Sequence, residues 1–148
     1  MESTGTLRAD PQTGLMSYQD LPPNWSQLPL LNPAHAANVV DLVMAERDRD
    51  HNSVLLLPCT CDGVPMPPPI MISDVEWDQG PEPLIELWSH VSQGFGCNTL
   101  LLASSHAQSG QPARHKAWLD QAAAGFSKLG TTVIGRYTAA RDTVHLSR

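Results

Sequence analysis

Val54-Leu55-Leu56-Leu57 forms an unbroken apolar run between the polar stretch Asp48–Asn52 and Pro58, and Leu100-Leu101-Leu102-Ala103 forms a second. A strand with one face in water alternates apolar with polar side chains, whereas a strand covered on both faces reads as a short continuous apolar run. Both stretches therefore predict buried strands, and the layers that cover them must come from the sequence around them.

Helical periodicity supplies those layers. Upstream, Asn32-Pro33 offers a cap and a proline at the first helical position. Ala36, Val39, Val40, Val43 and Met44 then share one stripe, which predicts a helix to about Arg47. Between the two runs, Asp62-Gly63 predicts a tight turn into Ile70-Met71-Ile72, a hairpin whose second arm Pro65 and the prolines at 67–69 hold at a sheet edge. After Gly80-Pro81, the residues Leu84, Leu87, Trp88 and Val91 mark a second helix, closed by Gly94 and Gly96. Trp118, Leu119, Ala122, Phe126 and Leu129 mark a third from Ala113, ended by Gly130. Thr132–Ile134 and Thr143–Leu146 complete the chain as strands around Ala139–Asp142. The expected fold is α/β, one domain over residues 32–148 with a mixed sheet covered by helices in the order α-β-β-α-β-α-β-β.

Residues 1–31 hold neither period and are rich in Gly and Pro, which predicts an N-terminal arm, flexible or docked. Tyr18, Trp25 and Leu28 are the groups expected to lay it against the domain or a partner.

Length and composition narrow the class. The 148 residues, 41% apolar and 16% charged, suffice for one core without disulfide staples. A net charge of −6 and nine scattered basic residues oppose nucleic-acid binding, which needs Lys and Arg gathered on one face. No apolar run approaches the ~20 residues that span a bilayer, and no basic and then apolar leader opens the chain, so a cytoplasmic protein without membrane contact is expected. Three cysteines, Cys59, Cys61 and Cys97, are an odd set, and the thiols are expected to be reduced.

Chemistry-bearing residues fall in two places. Cys59-Thr60-Cys61-Asp62 closes the first buried strand, but Cys-x-Cys with only Cys97 elsewhere falls short of four structural zinc ligands, and packing outweighs ligation. His106, His115 and Asp120 follow the second strand. Five residues apart on a helix, His115 and Asp120 diverge, so a metal or acid–base role is the lesser reading. Ser104-Ser105 beside His106 lacks a nucleophile elbow, and adjacent strand residues point to opposite faces. Ser109-Gly110-Gln111-Pro112 reads as a helix start rather than a phosphate loop. Of Trp25, Trp77, Trp88 and Trp118, the acid-flanked Trp77 is the one expected to be exposed as a contact point.

Tyr18-Gln19-Asp20-Leu21-Pro22-Pro23-Asn24-Trp25 and Ala37-Asn38-Val39-Val40-Asp41-Leu42-Val43 are similar to stretches of a group of short actinobacterial proteins. That likeness spans nearly the whole chain and implies no activity. Val54–Leu57, the helix from Leu84, Leu100–Leu102 with Ser109-Gly110-Gln111-Pro112, and Leu129-Gly130 before Val133-Ile134 resemble the RadC-like branch of the JAB/MPN metallohydrolases. In that family a strand ends in His-x-His-Pro-Ser-Gly-Asp-Pro, and Ser-x-x-Asp in the next helix completes a zinc site with a glutamate as base. Aligned without a gap, the two histidine positions here hold Ser105 and Ala107, with His106 between them, and the aspartate position holds Trp118. A one-residue gap brings His106 into register and leaves Ser104 in the other place. A catalytic zinc needs three protein ligands and a water, so the resemblance implies a JAB/MPN-like fold that is catalytically silent.

The expectation is a protein-interaction or regulatory module that captures a protein partner or a second copy, through Tyr18, Trp25 and Trp77, and needs no cofactor. Its rival is a small metal-dependent hydrolase with a rearranged site of His106, His115 and Asp120, reached by Cys59 or Cys61.

Overall fold

The computed structural model describes residues 21–66, 68–94, 98–108, 112–141 and 143–147. Tyr18, Cys97 and Ser109–Gln111 lie outside them. Five strands, β1 (Val54–Cys59), β2 (Ile70–Ile72), β3 (Thr99–Ser105), β4 (Thr132–Ala139) and β5 (Val144–Leu146), form one mixed sheet in the order β2-β1-β3-β4-β5. Among the described residues four α-helices accompany it: α1 (Pro33–Val43), α2 (Glu46–Arg49), α3 (Glu82–Val91) and α4 (Ala113–Lys128).

Every residue of β1 and β3 is buried, as their unbroken apolar runs require. The two strands are antiparallel, with Val54 opposite Ser104 and Cys59 opposite Thr99. The β3–β4 pair is parallel, and α4 makes the crossover that a parallel pair needs. Alternation along the strands then sorts the core into two halves. Leu55, Leu57, Leu101, Ala103 and Tyr137 pack with Val39, Val40 and Met44 of the α1 segment on one face. On the other, Val54, Leu56, Leu100 and Leu102 pack with Leu84 and Trp88 of α3 and with Trp118, Leu119 and Phe126 of α4.

Asn32 caps α1 as expected, its side-chain oxygen accepting from the N–H groups of Ala34 and His35 at 2.9 and 3.1 Å. The helix stops at Val43, short of Arg47, and α2 follows as an element the periodicity did not announce. The N–H of Ala45, which would continue α1, goes to the Asp48 carboxylate at 3.0 Å. The matching carbonyl of Asp41 accepts from Arg49 Nη2 at 3.1 Å. That guanidinium also binds the carbonyls of Met44 and Ala140 and the Asp41 carboxylate, folding the chain back on itself.

Strand β4 runs past the expected Ile134 to Ala139. Gly135 and Arg136 interrupt its apolar pattern, and a Cβ at Gly135 would strike the ring of Tyr137. The glycine leaves room for that ring, which is buried.

The described part of the arm is docked. Leu30 is fully buried, donates its N–H to the Gly63 carbonyl at 2.9 Å, and belongs to the α1-side core, with Leu21 and Trp25 packed beside it. Packing of the domain therefore begins ahead of Asn32. Gly63 turns with φ +86, a left-handed conformation suited to glycine, beneath Leu31. No helix among the described residues is long and apolar enough to cross a membrane.

Candidate functional site

The carboxyl ends of the parallel strands β3 and β4 are where an α/β sheet exposes chemistry, and polar residues gather there. Ser104 continues the Leu100-Leu102 face toward α4, and Thr138 occupies the neighbouring position on β4. Ser104 Oγ lies 3.0 Å from Thr138 Oγ1 and 3.1 Å from Nδ1 of His115, in the first turn of α4. All three side chains are fully buried.

Aromatic rings close over this pair. Trp77 lies against His115 with ring centroids 4.3 Å apart and meets Trp118 edge-on at 5.1 Å. His106 stands 5.1 Å from His115 on another side. Burial, with His106 and Arg114 adding like charge, pushes the His115 pKa down to about 4, so the ring is neutral at physiological pH. His106 is lowered as well, first by burial and then by Arg114. The second ring nitrogen of His115 and the indole nitrogen of Trp77 are buried and find no hydrogen-bond partner among the described residues.

A serine nucleophile needs a base that a third group orients, and an opening through which substrate reaches it. Ser104 has the histidine, but no partner among the described residues holds the far nitrogen and no surface reaches the hydroxyl. Ser105 points to the opposite face and is spent on structure, accepting from the Ser53 N–H and donating to the Asp48 carbonyl.

The proposed metal ligands are only partly brought together. His106 and His115 are neighbours. Asp120 turns away, paired with Arg136 at 2.8 Å and Lys116 at 3.1 Å. Cys59 pairs opposite Thr99, at the far end of β3 from Ser104 and on the α1 face. Five residue steps separate Thr99 from Ser104, roughly 17 Å, well beyond a metal-ligand span. Among the described residues no group of three or more His, Cys, Asp or Glu side chains converges on a common metal position. Burial raises the Cys59 thiol to about 12, which makes it inert as a nucleophile or ligand. Cys61 is disulfide-bonded, so the expectation of reduced thiols holds for Cys59 and fails for Cys61.

The expected interaction residues are also redistributed. Trp77 is 9% exposed rather than a surface contact. The 73–81 loop turns its indole inward against His115 and Trp118, while Glu76 and Asp78 stay in water. Trp25 is partly buried against the α1-side core.

Two concavities escaped the sequence reading. A polar cleft of about 830 Å³ lies between α2 and the loops that follow β3 and β4, lined by Asp41, Glu46, Arg49, Asp50, Ala107 and Arg141. Arg49 there is fully engaged with the backbone and Asp41. A groove of about 330 Å³, mostly apolar, runs from the end of β2 to α3, lined by Ile72, Val75, Pro81, Leu84, Leu87 and Trp118 among others. Its one legible signal was Leu87, which falls on the apolar stripe of α3 yet is 40% exposed.

Comparison with protein-family models, with curated proteins and with solved structures finds no match to this chain.

Proposed function

We propose that the domain is a non-catalytic module that binds another polypeptide. One observation carries this reading. Ser104, His115 and Cys59 are sealed and Asp120 is already paired, whereas the groove beside α3 leaves apolar surface open at Leu87. The positions that would hold zinc ligands in a JAB/MPN domain support a silent version of that fold. Ser105 is locked in backbone hydrogen bonds and Trp118 donates its indole N–H to the Gln79 carbonyl at 3.1 Å. A cytoplasmic setting belongs to the same proposal, and the Cys61 disulfide is the feature a reducing cytosol opposes.

The test is to pan a random-peptide phage library on the full chain and counter-screen against Leu87→Asp. Peptides that converge on a consensus and are lost with the variant, at unchanged thermal midpoint, support the module. Panning that yields no consensus overturns it.

The neighbouring rings of His106 and His115 favour a second reading, a metal-dependent hydrolase. Calorimetric titration with zinc decides it: stoichiometric binding lost in both His106→Ala and His115→Ala restores the hydrolase, and binding unchanged in either variant removes it.

A further inference from the structure

Charge along this chain is segregated. No Lys or Arg falls between Arg49 and Arg114, while seven of the 15 acidic residues, from Asp50 to Glu86, lie in that interval. The groove beside α3 is built almost wholly from the same interval, and only Trp118 comes from elsewhere.

Two carboxylates stand at the apolar lining. Glu76 is part of the groove wall. Glu82 folds back over Gly80, another wall residue, so closely that a Cβ on Gly80 would collide with its carboxylate. Gln121 donates to that carboxylate from 3.5 Å. Among the described residues neither glutamate has an ion-pair partner. On α4 Lys116 is taken by Asp120, and Arg114 lies one turn before Trp118. The groove also adjoins Ile72 of β2, a three-residue strand that, among the described residues, pairs with β1 on one side only.

We infer that the groove takes an extended, basic segment of a partner polypeptide, an inference that rests on the module reading and names its partner. A large apolar side chain sits among Leu84, Leu87 and Trp118, and flanking Lys or Arg side chains meet Glu76 and Glu82. The apolar anchor supplies most of the affinity, and the charges select the partner and speed its arrival. The small volume admits a side chain rather than a helix, and the edge of β2 that no described strand pairs offers backbone groups to an extended chain.

The experiment uses two synthetic peptides, one alternating Lys with Leu and one with Glu in place of Lys, titrated into the full chain. Tryptophan fluorescence and backbone amide shifts are the readouts. The basic peptide should shift amides of the 72–87 segment and weaken as salt rises. It should lose about fivefold in affinity with Glu76→Gln plus Glu82→Gln, and all detectable binding with Leu87→Asp. Equal binding of both peptides overturns the basic partner while a panned consensus keeps the module reading intact. Failure of both peptides together with a featureless panning result overturns both. Concentration-dependent self-association that Leu87→Asp abolishes also overturns the inference, because a second copy of the chain then fills the groove.

Discussion

Ser104 and His115 are sealed together: the serine Oγ lies 3.1 Å from the histidine Nδ1, and neither side chain reaches solvent. The pair joins the end of β3 to the start of α4 and makes the fold sensitive to acid. His115 titrates near 4 in the folded chain, against an ordinary 6.5. Between those values the unfolded chain binds a proton that the folded one refuses. Stability is therefore fully present above about pH 6.5, falls as pH drops through the window, and levels off once folded His115 protonates too. The full step is about 3 kcal/mol at most. Urea unfolding of the parent chain and of His115→Gln, from about pH 7.5 to 4, should differ by this component. Parallel curves would show that His115 has no share in it.

Asp120 meets Lys116 and Arg136 at the surface, half-exposed. Asp120→Asn removes both ion pairs and should cost about 0.5–1 kcal/mol by denaturant midpoint, less in high salt. A salt-independent loss several times larger would assign the carboxylate a different role.

Gly125 sits inside α4, where alanine would ordinarily stabilise a helix by ~1 kcal/mol. Here the added Cβ would overlap Cδ1 of Ile85 on α3. Gly125→Ala should therefore fall short of that gain, because the Ile85 terminal methyl must move aside, and Ile85→Val, which lacks that carbon, should restore it in the double variant. A double-mutant cycle measures the coupling, expected at about 1 kcal/mol. Additive effects would contradict the close approach of the two helices.

Leu30 and Leu31 are adjacent in sequence and opposite in environment, 0% and 61% exposed. Leu30→Ala should cost about 2–4 kcal/mol, and Leu31→Ala no more than about 0.5. A Leu30→Ala loss as small as that of Leu31→Ala would mean that Leu30 contributes nothing to the core.

Why some of this was legible follows from particular residues. Val54–Leu57 and Leu100–Ala103 announce buried strands because a short continuous apolar run suits a strand covered on both faces. Asn32-Pro33 announces a helix start because capping is chemistry local to a few residues. The break after Val43 was hidden, since it depends on Arg49 reaching Asp41, Met44 and distant Ala140. Trp77 was misjudged for the same reason. Flanking acids describe its neighbours in the chain, and the partners that bury it, His115 and Trp118, lie far along the sequence. The divergence of His115 from Asp120 was legible from helical spacing, but not the bond from His115 to Ser104, which only the parallel crossover creates. The groove beside α3 needed the loop, the strand edge and two helices at once, and its charge pattern became informative only when Glu76 and Glu82 were placed on its wall.

Strand β3 is paired on both edges and covered on both faces along its whole length. Its amide protons have no local route to water, so hydrogen exchange there reports the opening of the entire molecule, whereas β2 and β5 at the sheet margins exchange through small fluctuations. The slowest amides of Leu101 and Leu102 should give the same free energy as global unfolding. The two core halves share β1 and β3 as their common wall. Neither half can melt alone, and the molecule should lose its structure in a single step.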